Sequence, residues 1–434
     1  MKKKQIPIAN LRISDNAKKY ILQTTNDLSN LVGLDLPYFF KGGFWLTSSM
    51  ILSTIGGILL SSLFARLWPK DVYGQFSFLM SAVGFLSLTA LPGMGQALIQ
   101  SVAEGKEGSY RLATKTIAKF SVIGAIIMIL GSVYFFLRQN PNLALATFLS
   151  ALAFPITATA SLYSSFLIGK KQFKLVAIYT TVAQFASITA TAVALWTLSS
   201  FIWVAFFSAW SSAIVNVILT VFTYKQTENN LEDKSIIKLG IHLSFSQVFT
   251  IAADYLDRFL VPLLLGFTNN AIYSFAILIP MQLHTFFKTF LTLGQPKFAE
   301  ISQKNIRGDL IKKSLQLEIL IGSTVGAYII AAPFIFRVLY PAYQGSAVTL
   351  SQIYSLSLLY YPGNLFSLSL IKFRLTKEIL KTNILYSFTT ALSLIILVSL
   401  FGLMGAVLAK IVSRTSQLAV QIFLFERKSK DHFR

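Results

Sequence analysis

Ala252–Gly266 reads AADYLDRFLVPLLLG, an apolar run of helix length with three charges inside it. Drawn as a helix, Asp254, Asp257 and Arg258 fall on roughly one face, because side chains three and four positions apart are neighbours. Pro262, four residues beyond Arg258, has no N–H for the Arg258 carbonyl and bends the helix there. In a soluble protein this would be an ordinary surface stripe. In a membrane such charges are costly and mark a functional face, so the surrounding chain decides what the stretch is.

The surroundings are those of an integral membrane protein. The 434 residues are 54% hydrophobic and 13% charged, against about 25% charged in soluble domains. There is no cysteine, which excludes disulfides, thiolate metal sites and thiol catalysis. From Gly42 onward, twelve apolar runs of about 20 residues, each enough to cross a ~30 Å hydrocarbon core, alternate with short polar breaks. The first six run at about 43–66, 73–100, 114–137, 143–168, 175–197 and 200–223; the second six at about 240–266, 269–293, 314–338, 346–370, 382–401 and 403–425. The pattern predicts an all-α polytopic protein with an N-terminal arm (1–40), a first lobe (41–223), a linker (224–239), a second lobe (240–425) and a tail (426–434).

The breaks alternate in charge. Those after even-numbered runs are rich in Lys and Arg, as in Lys106, Arg111, Lys115 and Lys119 or Lys170, Lys171 and Lys174, whereas those after odd runs hold only Arg66, Lys70, Arg138 and Arg337. By the positive-inside rule the basic side is cytoplasmic, and both termini face it. The net charge of +21 is then mostly an orientation signal, and no nucleic-acid partner is expected. A faint repeat supports two equivalent halves. YGQFSF (Tyr73–Phe78) and NAIYSF (Asn270–Phe275) open runs 2 and 8, and MGQ (Met94–Gln96) and LGQ (Leu293–Gln295) close them, at offsets of 197 and 199 residues. Six runs separate the copies, so the lobes share an orientation and are related by a pseudo-two-fold along the membrane normal.

The charges inside the runs are confined to the second half: Asp254, Asp257 and Arg258 on run 7, His284 and Lys288 on run 8, Glu318 on run 9, and Lys410 and Arg414 on run 12. An isolated charge at the bilayer centre costs at least ~2.5–3.5 kcal/mol, so these side chains are expected to face the bundle interior or a wet cavity. Lys410, Arg414, Gln417 and Gln421 recur at steps of four, three and four and draw a polar stripe down one helical face. Two readings stand side by side. Arg258, Lys288, Lys410 and Arg414 outnumber Asp254, Asp257 and Glu318, so a cavity with surplus cations would suit a phosphate or pyrophosphate head group. Alternatively, Arg414 only neutralises Asp257 or Asp254, and Lys288 neutralises Glu318. Asp254 and Asp257 are also candidates for proton exchange or for a sodium ion, with Arg258 pairing opposed to that. His284 reads as a hydrogen-bonded packing residue before a proton relay. No G-x-x-x-x-G-K-[ST] loop or H-E-x-x-H motif is present, so neither a P-loop ATPase nor that zinc site is expected. No cofactor or metal is expected.

Phe64–Phe78 reads FARLWPKDVYGQFSF and Asp257–Ala276 reads DRFLVPLLLGFTNNAIYSFA. These two stretches and the six-plus-six layout make the chain resemble the polysaccharide-transport, O-antigen flippase-like branch of the multidrug, oligosaccharidyl-lipid and polysaccharide flippase superfamily. The resemblance implies a bacterial cytoplasmic-membrane flippase that carries an undecaprenyl-pyrophosphate-linked oligosaccharide from the inner to the outer leaflet. Two lobes would rock about a central cavity whose cations meet the pyrophosphate, with membrane lipids, a polysaccharide polymerase and a chain-length regulator as partners. Only the Asp257–Arg258 pair and the Arg66–Phe78 turn carry over residue by residue. Lys41 and Arg66 are the boundary cations the first lobe offers, and Arg66 joins the head-group candidates. A cation-coupled drug exporter of the same superfamily would need a carboxylate-rich site with few central cations. A polysaccharide polymerase or ligase would need a sizeable outer loop, and every odd-side break is too short for one.

Overall fold

In the computed structural model, residues 36–300, 306–372 and 376–432 are described, and among them the regular structure is helical. The first half contains α1 (Leu36–Leu67), α2 (Lys70–Leu86), α3 (Met94–Ala103), α4 (Ser109–Leu137), α5 (Pro141–Ala160), α6 (Tyr163–Gly169), α7 (Phe173–Thr197) and α8 (Phe201–Tyr224). The second contains α9 (Ser235–Leu265), α10 (Phe267–Glu300), α11 (Ile306–Leu339), α12 (Ser346–Leu356), α13 (Gly363–Lys372) and α14 (Thr376–His432). Eight helical segments among the described residues are long and apolar enough to cross a membrane. The last of them doubles back at Gly402, where φ 57° and ψ −131° interrupt the helix. Helices α9 and α10 are as long as the others but carry the charges. The chain is a multi-pass membrane protein, with Leu137, Ile319, Ile330 and Phe334 turned outward, as lipid-facing side chains are.

Three of the twelve passes are broken part-way. Pass 2 stops at a short 3-10 turn, Ser87–Ala90, and at Leu91, whose φ is 52°, and resumes as α3. Pass 4 divides between α5 and α6 at Ser161–Leu162, and pass 10 between α12 and α13 at Ser357–Pro362. Passes 4 and 10 occupy corresponding positions in the two halves, so the interruption repeats with the fold. Backbone groups freed inside a membrane are tolerated where protein or a wet cavity satisfies them.

Within the first half α4 packs on α5, α5 on α8 and α1 on α7; within the second α9 and α13 pack on α14, and α10 on α12. Between the halves, α2 lies against α10 and α3 against α9. Short turns at 68–69, 138–140, 198–200, 266 and 402 define a hairpin end; the linker lies at the other. At the hairpin end Ser61, Ser62 and Arg66 bond to the Tyr340 hydroxyl (2.9 Å), the Leu339 carbonyl (2.8 Å) and the Val338 carbonyl (2.6 Å). The Asn270 amide donates to the Gly74 carbonyl at 2.8 Å, and the Tyr73 and Phe275 rings stack with centroids 4.4 Å apart. Trp68 is buried against Phe64 and Phe76. This end joins the halves by an aromatic and hydrogen-bonded seam.

The linker is exposed along much of its length yet pinned to the first half. Lys106 Nζ pairs with Asp233 at 2.8 Å, Lys170 Nζ with Glu107 at 2.8 Å, and Glu107 accepts the Glu228 N–H at 2.7 Å. A Cβ at Gly108 would stand 2.6 Å from the Asn230 backbone, so only glycine admits the linker this close.

Candidate functional site

The polar residues of α9 and of the second limb of α14 meet between those helices, where the tyrosines of α10, pass 10 and the first limb of α14 close round them. Lys410 Nζ lies 3.7 Å from both Asp254 Oδ1 and Asp257 Oδ2 and within 3.5 Å of the Ala253 carbonyl. Arg414 Nη2 is 3.2 Å from Asp254 Oδ1, and its Nη1 donates to the Tyr360 hydroxyl. The Tyr386 hydroxyl donates to Asp254 at 3.0 Å and the Tyr273 hydroxyl to Asp257 at 2.6 Å. The Arg414 guanidinium also lies over the rings of Tyr360 (4.4 Å) and Tyr386 (5.4 Å). Two cations thus face two carboxylates, and the hydroxyls take up remaining lone pairs, which is the condition under which buried charge is tolerated.

Asp257 is 1% exposed, Lys410 2% and Arg414 8%. The stripe expected to line a hydrophilic path is therefore sunk in helix packing, as are Gln417 and Gln421 below it. The Oε1 atoms of both glutamines are buried without a hydrogen-bond partner among the described residues. His284 joins the edge of the cluster, with Nε2 3.1 Å from the Tyr360 hydroxyl and its carbonyl accepting from the Tyr361 hydroxyl at 2.7 Å.

Arg258 is different. The sequence pairs it with Asp254 or Asp257, but among the described residues its guanidinium meets no carboxylate. Asp257 instead accepts the backbone N–H of Arg258, at 3.0 Å. Residues one apart on a helix point in different directions, so Asp257 turns toward Lys410 while Arg258 turns toward α10. There Nη2 contacts the Met281 sulfur, the guanidinium carbon lies 5.0 Å from the Tyr255 ring centroid, and Nε is buried with no hydrogen-bond partner among the described residues. Tyr255 in turn lies against Gly84 of α2, where a Cβ would stand 2.6 Å from its ring. Arg258 therefore sits behind a residue that touches the first half.

The remaining candidates are dispersed. Arg66 ends α1 at the hairpin seam, Lys288 is exposed on α10, and Glu318 is half-buried on α11, with no ion pair joining it to Lys288 among the described residues. The tyrosines at 273, 360 and 386 were not foreseen. Their nearest signal is the YYPG stretch at Tyr360–Gly363, an aromatic pair before a helix-breaking proline and glycine. No group of three His, Asp or Glu side chains among the described residues is placed to hold a metal ion.

Residues 39–292 match the sequence pattern of the family described as polysaccharide biosynthesis protein. The chain belongs to that family. No curated protein sequence matches it. In structure it is similar to a multidrug resistance MATE family transporter of the MOP superfamily in an inward-facing conformation, at 12% identity and TM-score 0.66, over 87% of this chain and 95% of that one. It is also similar to the lipid II flippase MurJ in an inward closed conformation, at 16% identity and TM-score 0.66, over 88% and 87%. A MOP superfamily transporter from Pyrococcus furiosus, reported with a reverse polarity of its binding pocket, aligns at 11% identity and TM-score 0.58, over 92% and 96%. The fold is that of these MOP superfamily proteins, two six-pass lobes about a pseudo-two-fold, and the structural neighbours named are transporters and a flippase.

Proposed function

We propose that this member of the polysaccharide biosynthesis family flips an undecaprenyl-pyrophosphate-linked oligosaccharide from the cytoplasmic to the outer leaflet by alternating access. The observation that carries the reading is Arg258. A guanidinium with a buried, unpartnered Nε and no carboxylate neighbour is poised for an external anion, and its planar fork suits pyrophosphate. Its position behind Tyr255, at the junction of the halves, lets such an anion be seen by both lobes. We place the linker end in the cytoplasm on the Lys and Arg bias, which puts the sealed hairpin end outside. Lys410 and Arg414 serve on this reading to neutralise Asp254 and Asp257 and to hold α9 against α14.

That same neutralisation disfavours a cation-coupled drug exporter, because both central carboxylates already have cations. A polymerase and a chain-length regulator remain proposed partners in the cytoplasmic membrane. The deciding experiment replaces Arg258 with Ala or Lys and follows translocation of a lipid-linked oligosaccharide in vesicles. Ala is expected to abolish most transport at normal protein levels and Lys to restore part of it. Unimpaired transport by the Ala variant would remove the anion anchor.

A further inference from the structure

The break in pass 4 opens on a cavity in the first half. It measures about 630 Å³, within the ~300–1,000 Å³ of small-molecule sites. Its wall is formed by α2, the start of α3, α4, α5, α6 and α8, together with Tyr255 of α9, and no charged side chain lines it. Serine and threonine dominate its polar surface, and the direction of their hydrogen bonds is informative. Ser87, Thr157, Ser161 and Ser164 donate to carbonyls of their own helices, at 2.6, 3.1, 2.9 and 3.0 Å. Each hydroxyl has one hydrogen; with it spent on the backbone, lone pairs are what these groups offer a ligand. Ser150, 2% exposed, has a buried Oγ without any partner. The half-buried Ser208 offers its hydrogen only to the sulfur of Met80, at 3.8 Å.

A charge-free wall of hydroxyls, four of them with their hydrogen spent on the backbone, offers neither an anion nor a cation a countercharge. It accepts from neutral O–H and N–H donors, which are plentiful on a sugar ring, while Phe154 and Tyr255 supply apolar faces for ring C–H groups. Pass 10 is broken at the corresponding point of the other half, where the charged cluster with Tyr360 sits. Helices interrupted at corresponding positions of two repeats mark substrate sites in transporters. The two breaks have thus diverged, one becoming ionic and the other hydroxylic, with Tyr255 joining the cavity wall to the Arg258 guanidinium.

The geometry points to this cavity as a binding site for uncharged sugar residues, placed to receive the glycan of a lipid whose pyrophosphate meets Arg258. The assignment rests on the flippase reading above. On it, substrate is held at two points on either side of Tyr255: the anion by the second half, the neutral glycan by the first. Rocking of the lobes would then shift the two grips relative to each other.

The natural absence of cysteine makes the test direct. Single-cysteine variants Ser208→Cys and Ser161→Cys report the cavity, and Met281→Cys reports the Arg258 neighbourhood; Ser161 is exposed, so its replacement does not threaten folding. The full-length variants are placed in phosphatidylethanolamine and phosphatidylglycerol vesicles with undecaprenyl pyrophosphate, bare or carrying an uncharged oligosaccharide, and the rate of thiol alkylation is measured. The glycolipid is expected to slow alkylation several-fold at all three positions, and the bare lipid only at 281. Protection at 281 but at neither cavity position would overturn the sugar site and leave the flippase reading standing. Equal protection of the cavity by both lipids would overturn it in favour of an acyl-chain groove. Absence of protection at every position by either lipid would remove the flippase reading as well.

Discussion

Ser77 Oγ lies 2.6 Å from Ser274 Oγ, and the two residues are the same position of the repeat, 197 residues apart. Equivalent residues touch across a two-fold only where they lie on its axis, so the pseudo-symmetry axis passes between α2 and α10 at this contact. Asn270 and Gly74, beside it, carry the same seam. The duplication legible in YGQFSF and NAIYSF is thus also the place where the halves hold each other.

A disulfide at this point should arrest the cycle. In the cysteine-free chain, Ser77→Cys with Ser274→Cys is expected to cross-link under mild oxidation, since the side-chain termini already approach within bonding range of a ~2.05 Å S–S bond after small adjustment. Cleavage in the linker followed by electrophoresis would show the halves still joined. Translocation should stop on oxidation and return on reduction. Transport that continues in the cross-linked protein would rule out opening at the hairpin end.

Removing Lys410 should cost more than removing any other cation of the cluster, because it faces both Asp254 and Asp257. Lys410→Met leaves Asp257 buried with no cation, a loss of about 3–5 kcal/mol for a broken buried pair. Adding Asp257→Asn should recover a large part, giving a strongly non-additive double-mutant cycle. Thermal or denaturant unfolding in detergent measures it, and additive losses would mean that the pair is not coupled.

Passes, lobes and the charged faces of α9 and α14 were readable from apolar run length and from steps of three and four, because burial imposes those periods. Partner choice was not. Asp257 and Arg258 are adjacent in sequence and look paired, yet one residue on a helix turns the side chain by about 100°, and only the packing of α14 on α9 shows that Lys410 takes both carboxylates. The breaks at Leu91, Ser161 and Ser357–Pro362 were hidden inside runs that hydropathy reads as continuous. LPGMG (Leu91–Gly95) and YYPG (Tyr360–Gly363) carry the Pro and Gly signals for two of them. The break at Ser161–Leu162 carries neither Pro nor Gly, and Pro155 lies six residues earlier inside α5, so the first-half cavity left little trace in the pattern.

The linker clamp should be indifferent to physiological pH. The Lys106 hydrogen bond holds the Asp233 carboxyl down at about 2, helped by the Ser235 contacts, from a usual value of 3.8. A carboxyl lowered on folding contributes above its unfolded pKa and is lost as pH falls through the folded one, so the window of loss runs from about 3.8 to about 2. Between pH 5 and 8 the rate of protease cutting at 225–234 is expected to be flat, and Lys106→Ala to raise it several-fold throughout. A pH-dependent rate within that range would point to a different group controlling the linker.

Gly74 tests whether the seam governs which end opens. A Cβ there would stand 1.9 Å from the Phe267 carbonyl oxygen, a backbone atom that cannot rotate away, so Gly74→Ala must push α2 off the start of α10. Such overpacking costs about 1–3 kcal/mol, and it strains only the state in which the hairpin ends touch. The equilibrium should therefore shift toward hairpin-end opening by about five- to 150-fold if the strain is fully relieved there. A cysteine at Ser77 reports this through its access to an impermeant thiol reagent added on the hairpin side. Faster labelling in the Gly74→Ala background is the expected result, with global unfolding little changed because the opened state escapes the clash. Unaltered labelling with a lowered melting temperature would instead mean that the seam is static packing and that the halves separate elsewhere.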